Sequence, residues 1–266
     1  MKKIFISLLI ITLFPILSFG QGMYAKFNAG YYFPAGTQTL LFDEHTTATI
    51  DEQEPVNVSL GKGIEPGIAF GYMLSENFGA ELGVSYLIGS KNEATQNDET
   101  RPRERFFELS GKSINFNPQI LITGDFIGLK PFAKFGVVFG LASIDYRFEQ
   151  IDNNNTTIEE WKYKGGIAIG FSADFGVEYA LSEKLAISAS FRTVNMSYAP
   201  TEGSLETFTV DGADELGNLV TRDKEIEFVD KIDYDIVIDD ADPDQELKEK
   251  YPFSGFGLNI GVKYNF

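Results

Sequence analysis

The C-terminal stretch, residues 255–266, constrains the fold more than any other part of the chain. It reads Gly-Phe-Gly-Leu-Asn-Ile-Gly-Val-Lys-Tyr-Asn-Phe. Phe256, Leu258, Ile260, Val262, Tyr264 and Phe266 fall on one face of an extended chain. Gly257, Asn259, Gly261, Lys263 and Asn265 fall on the other. Alternation with a period of two makes this a β-strand with different surroundings on its two sides. The apolar side thickens into aromatics, whereas the polar side is mostly Gly and Asn. That pattern suits the wall of a closed barrel, with lipid outside and a narrow polar interior.

The same alternation recurs along the chain and predicts eight strands, at residues 22–35, 62–74, 78–90, 110–123, 131–148, 161–180, 185–198 and 255–266. Two positions disturb it. The phase is lost near Ile144 and Tyr146, which suggests a bulge, and slips between Val194 and Tyr198. Pro66 has no N–H to donate and should mark a bulge or an irregular rung. Short links at 75–77, 124–130 and 182–184 alternate with long ones at 36–61, 91–109, 150–160 and 199–250. Short turns at one end and long loops at the other match a transmembrane barrel. A water-soluble barrel would invert the faces, and the glycine-rich face here is too small to be an exterior. If this chain enters a membrane, only a closed barrel satisfies its backbone groups.

Eight charged residues fall on the inward face: Lys26, Glu65, Glu81, Lys134, Asp174, Glu178, Arg192 and Lys263. An isolated buried charge is costly, so these should pair. Hairpin arithmetic sets Arg192 near Asp174 and Lys134 near Glu178. Eight strands leave room for little beyond side chains, so the expected interior is plugged by paired charges. The alternative is a gated proton or small-solute path along the same groups.

The N-terminus reads as a secretory signal, residues 1–20. Lys2 and Lys3 precede an apolar run at 4–17, and Ser18 and Gly20 set small residues before Gln21. The run is short for a spanning helix, which needs about 20 residues. The remainder, 21–266, suits one domain. The chain has no Cys, which excludes disulfides and thiolate sites.

A formal net charge of −17 argues against nucleic acid as a partner. Residues 199–250 hold 17 Asp or Glu against five Lys or Arg. This stretch is expected to be a solvated, partly disordered external loop. Within it, 225–237 mixes Ile, Phe, Tyr and Val with acids and suits a hairpin extension. The carboxylates at 239–244 are of the kind that hold Ca²⁺ or bridge divalent ions to lipopolysaccharide phosphates, but the spacing lacks the glycine turn and closing Glu of a helix-loop-helix calcium site. His45 is the only histidine. It sits in an acid-rich loop without a positioned partner and reads as solvated. No catalytic residue, metal or cofactor is expected. Tyr72, Phe78, Tyr179, Tyr264 and Phe266 map to strand ends beside the short turns and suit an interfacial aromatic girdle.

The signal segment, residues 67–89 with their Tyr72-Met73-Leu74-Ser75 turn, residues 178–185, and the closing strand together resemble the small porin-like outer-membrane β-barrel family of Gram-negative bacteria. The resemblance implies an all-β, eight-stranded, antiparallel up-and-down barrel with periplasmic termini. It implies that the last strand and its terminal aromatic are read by the barrel insertion machinery. Members serve as structural proteins, adhesins, narrow channels and secretion-system parts, so an open pore is not implied. The expectation is a non-enzymatic monomer held in outer-membrane lipid and lipopolysaccharide, with a structural or surface-binding role exercised through its loops. A narrow channel, or a subunit of a secretion or envelope assembly, are the alternatives.

Overall fold

Period-two patterning becomes strand almost throughout the computed structural model, which describes residues 22–153, 155–233 and 239–266. The expected signal segment lies outside the described residues. The strands are β1 (Met23–Pro34), β2 (Gln38–Thr46), β3 (Asp51–Val58), β4 (Gly63–Met73), β5 (Phe78–Gly89), β6 (Asn92–Asp98), β7 (Arg103–Thr123), β8 (Leu129–Asp152), β9 (Asn155–Lys164), β10 (Ala168–Ala180), β11 (Leu185–Tyr198), β12 (Glu202–Val210), β13 (Ala213–Asp214), β14 (Glu225–Val229), β15 (Asp244–Leu247), β16 (Tyr251–Pro252) and β17 (Gly255–Asn265).

Antiparallel pairing runs β1–β4–β5–β7–β8–β10–β11–β17, and β17 returns to β1. The ring leaves none of its own strands with a free edge, which is how an extended sheet satisfies its backbone without water. Side chains alternate across its wall as the sequence predicts. Phe171 and Ile260 are each 69% exposed on the outer face, whereas Asp174 and Lys26 are each 6% exposed inside. A water-soluble barrel would show the reverse.

Strand number is where the sequence expectation falls short. Four stretches assigned to loops hold strands of their own. The polar stretch before Leu60 carries the β2–β3 hairpin. The supposed loop at 91–109 holds β6 and the first turns of β7, which pair with each other. The one at 150–160 is the tip of the β8–β9 hairpin. The acidic segment at 199–250 is not a partly disordered loop over its described residues: β12 pairs with β9, β14 with β12, and β15 runs parallel to β14. A 3₁₀ turn at Leu216–Asn218 and a single helical turn at Thr221–Lys224 lie between them. Part of the expected hairpin at 225–237 lies outside the described residues. These strands carry a ladder β3–β2–β6–β7–β8–β9–β12–β14–β15 beyond the ring. Charged side chains do not contradict strand formation where neighbours pair them, as Lys112 and Asp145 do at 2.6 Å.

The expected single strand at 161–180 is broken between β9 and β10, where Gly165 and Gly166 take positive φ. The suspected phase slips are absent. Along β8, Lys134, Val138, Ala142 and Ile144 all stay inside, and along β11 Arg192, Val194, Met196 and Tyr198 do so. The β7–β8 register is constant through Ile144. What changes is the chemistry of the interior, from polar to apolar, which the patterning misread as a change of face. Pro66 does interrupt the ladder to β5, between Ile64↔Ile88 and Gly67↔Ser85, without shifting register.

Small residues on the inner face make room for large neighbours. A Cβ on Gly71 would stand 2.0 Å from the Tyr24 ring directly across the β1–β4 ladder. Gly71→Val is expected to cost about 1–3 kcal/mol by overpacking. A lowered urea midpoint of the refolded protein would show this, and an unchanged midpoint would contradict the close fit.

Candidate functional site

The interior has three layers between the short-turn end and the extended end. The middle layer holds most of the charges, brought together because strands on opposite sides of the ring present them at one level. Lys134 on β8 binds Glu81 on β5, Nζ to Oε1 at 2.6 Å. The Tyr24 hydroxyl donates to the other Glu81 oxygen at 2.8 Å. Arg192 on β11 reaches Glu65 on β4 at 3.4 Å, and Ser85 donates to the same carboxylate at 2.5 Å. Rotating the Asn117 amide lets its oxygen accept from Arg192 Nη2 at 2.8 Å. Nearer the short-turn end, Lys263 on β17 binds Glu178 on β10 at 2.8 Å and lies 4.3 Å from the centre of the Tyr24 ring.

All eight charges expected inside are buried or nearly so, and of the expected neighbours Arg192 does lie beside Asp174, whereas Lys134 does not lie beside Glu178. Asp174 does stand opposite Arg192 in the ladder, and opposite Lys134 on its other side. Neither cation forms an ion pair with it, and Asp174 Oδ1 is buried without a hydrogen bond. Lys134 turns to Glu81 and Glu178 to Lys263. Ladder position fixes only where a side chain leaves the wall. A long side chain crossing a narrow interior then chooses among all the strands. Three ion pairs result, and Lys26 and Asp174 remain outside them. The open space among these groups is about 30 Å³, roughly room for a single water.

At the extended end the interior is apolar and filled. Val58, the last residue of β3, Leu60 just after it, and Phe253, preceding β17, fold inward against Tyr32, Val138, Ile144, Met196 and Tyr198. Backbone bonds hold the two segments: Leu60 N–H donates to Pro252 O at 2.8 Å and Phe253 N–H to Met196 O at 2.9 Å. The fully buried Ser59 hydroxyl donates to Ser254 O at 2.5 Å. Gly61 permits the crossing, since a Cβ there would stand 2.5 Å from Ser254 O. Sequence reasoning missed this closure because its parts read as loop. The available signal was the apolar inward positions Leu87, Val138, Val194 and Met196. Burial where this closure meets the extension pushes the phenols of Tyr146 and Tyr251 up to about 12.

The third layer is a vestibule of about 740 Å³, open at the short-turn end. Tyr24, Lys26, Phe132 and Lys134 line it, with Leu121 and Met73 on its walls. The aromatics Tyr72, Phe78, Tyr179, Tyr264 and Phe266 gather at this end, with Tyr264 and Phe266 rings 5.5 Å apart. His45 is exposed in β2, across from Glu52 and Asn97, rather than in a loop. Among the described residues, no group of three or more His, Asp or Glu is placed to hold a metal ion. Asp239 instead receives the Ala241 N–H in a local turn.

Comparison with known proteins gives the family. Solved structures that match the chain include neisserial surface protein A (TM-score 0.39, 12% identical, 92% of this chain and 98% of that one). Others are outer membrane protein W of Escherichia coli (0.33, 12%, 92% and 98%) and the outer membrane protease OmpT of Escherichia coli (0.33, 9%, 93% and 98%). No curated protein matches the chain. A family model described as "Outer membrane protein beta-barrel domain" matches residues 11–212, most of the sequence. With its outward apolar wall and buried charges, the chain belongs to the outer membrane protein β-barrel domain family, and its place is the bacterial outer membrane.

Proposed function

We propose that the ring is an eight-stranded up-and-down transmembrane barrel, closed to through-flow, which serves as a non-enzymatic anchor for a surface-exposed sheet. In this reading the short turns and both termini face the periplasm. The aromatics from Tyr72 to Phe266 form the girdle at that interface, and β2, β3, β6, β9 and β12 to β15 rise outside the cell with the ends of β7 and β8. The role is structural or surface-binding. The observation that carries closure is the apolar seal of Leu60 and Phe253 stacked above an ion-paired layer with about 30 Å³ of open space. A non-enzymatic role is supported by the exposed position of His45 in β2, across from Glu52 and Asn97.

Refolded protein in planar bilayers should show no steady conductance. Ohmic steps in the wild type that vanish in Arg192→Ala would overturn closure and favour a channel through the charged layer. That second reading has one observation of its own, the Lys26 and Asp174 charges left outside the ion pairs. Phe253→Ala removes the largest side chain of the seal and should admit brief conducting events about tenfold more often than the wild type, because a void replaces close packing. Equal event rates would mean that the seal is not the barrier.

A further inference from the structure

Lys26 is the interior cation that forms no ion pair. It is 6% exposed, and among the described residues no carboxylate lies within ion-pair distance of it. Its direct partner across the β1–β17 ladder is another lysine, Lys263. Like charges facing each other are unfavourable, and Glu178 relieves only Lys263. The Lys26 ammonium lies 5.0 Å from the centre of the Phe132 ring, and its stem passes over Gly261, where a Cβ would stand 2.6 Å from Cε. The glycine therefore seats this side chain in one place. Asp174, the anion also left outside the pairs, shares the small inner chamber with Lys26 but does not line the vestibule.

The closed end of the vestibule thus gathers the ammonium groups of Lys26, Lys134 and Lys263 against the carboxylates of Glu81 and Glu178. Among these five groups one positive charge is in excess, and the carboxylate that balances it, Asp174, lies in the inner chamber rather than in the vestibule. A buried ammonium takes an anion or another acceptor to offset its lost hydration. The cavity volume, about 740 Å³, falls within the usual range of small-molecule sites. Leu121, Phe132 and Met73 supply an apolar wall beside the charge. At the mouth, Glu76, Asp125 and Glu183 outnumber Lys130, which disfavours entry of multiply charged anions.

We propose that the vestibule is a binding site for a small organic monoanion, whose carboxylate sits on Lys26 and whose apolar body rests on Phe132, Leu121 and Met73. The ligand enters from the short-turn end, so the site does not depend on whether the opposite end is sealed. A single charge passes the acidic mouth, and the apolar wall selects a carboxylate with a hydrocarbon part over inorganic phosphate.

The test uses refolded full-length barrel in non-ionic micelles, with benzoate as the probe and saturation-transfer NMR as the readout. Benzoate should bind above the level of empty micelles. Its neutral counterpart, benzyl alcohol, should bind about tenfold more weakly, the size expected for one charge-assisted hydrogen bond. Lys26→Met should weaken benzoate by about tenfold or more, and Lys184→Met, in the short turn between β10 and β11 but outside the vestibule lining, should leave it unchanged. Should Lys26→Met fail to refold, the wild-type contrast between benzoate and benzyl alcohol still decides. Equal binding of the two probes, or no transfer beyond empty micelles, overturns the site and leaves a bridging water as the partner of Lys26. Displacement of benzoate by equimolar inorganic phosphate overturns the preference for a carboxylate.

Discussion

Glu81→Ala is expected to lower the stability of the refolded barrel by about 3–5 kcal/mol, the cost of leaving a buried cation without its partner. Glu81 is bound by Lys134 at 2.6 Å and by the Tyr24 hydroxyl at 2.8 Å. Its side chain is 4% exposed and that of Lys134 is 5% exposed, so water cannot take over the lost bonds. The loss should belong to the stranded charge rather than to the missing volume. Replacing both partners, Glu81→Leu with Lys134→Met, is therefore expected to recover most of the stability, because a matched apolar pair carries no desolvation penalty. Urea unfolding in detergent or vesicles measures both. A single mutant within about 1 kcal/mol of the wild type would mean that solvent reaches this layer, since exposed pairs are worth only that much. The ion-paired plug would then be refuted.

Ile260→Arg should destabilise the inserted protein by about 2–4 kcal/mol, whereas Tyr264→Arg on the same strand should cost only about 0–1 kcal/mol. Ile260 is 69% exposed and lies midway along the outward face of β17, between Leu258 and Val262. Its ladder neighbours Ala29 and Ala189 give an arginine nothing to pair with. Tyr264 sits at the short-turn end, where a long cationic side chain snorkels to the headgroups. The depth-dependent contrast is the signature of a hydrocarbon belt. Equal, small effects at both sites would mean that the outward face meets water, and the transmembrane reading would fail.

Much of this was legible in the residues. Apart from the upper ends of β8 and β11, the inward and outward faces of the ring strands follow from the alternation, as with Glu65, Gly67, Ala69 and Gly71 inside and Ile64, Ile68 and Phe70 outside. All eight interior charges follow from it too. The strands beyond the ring were not legible. Residues such as Glu104, Arg105, Glu159 and Glu160 carry the composition of a solvated loop, and only pairing with neighbouring extended chains makes them strand. Val194, Met196 and Ile144 were misread as a slipped phase because an apolar residue on the inner face looks like an outward one displaced by one position.

The sequence by itself determined the period, and with it the wall: successive side chains of an extended chain point to opposite sides, a local property that needs no partner. Tertiary structure alone decided which charges meet and what closes the interior. Lys134 and Glu81 lie on strands separated by β7, and the seal joins Ser59 and Leu60 to Phe253 and Ser254 from opposite ends of the chain. Such contacts depend on ring closure, which fixes distances across the interior that no pattern along one strand encodes.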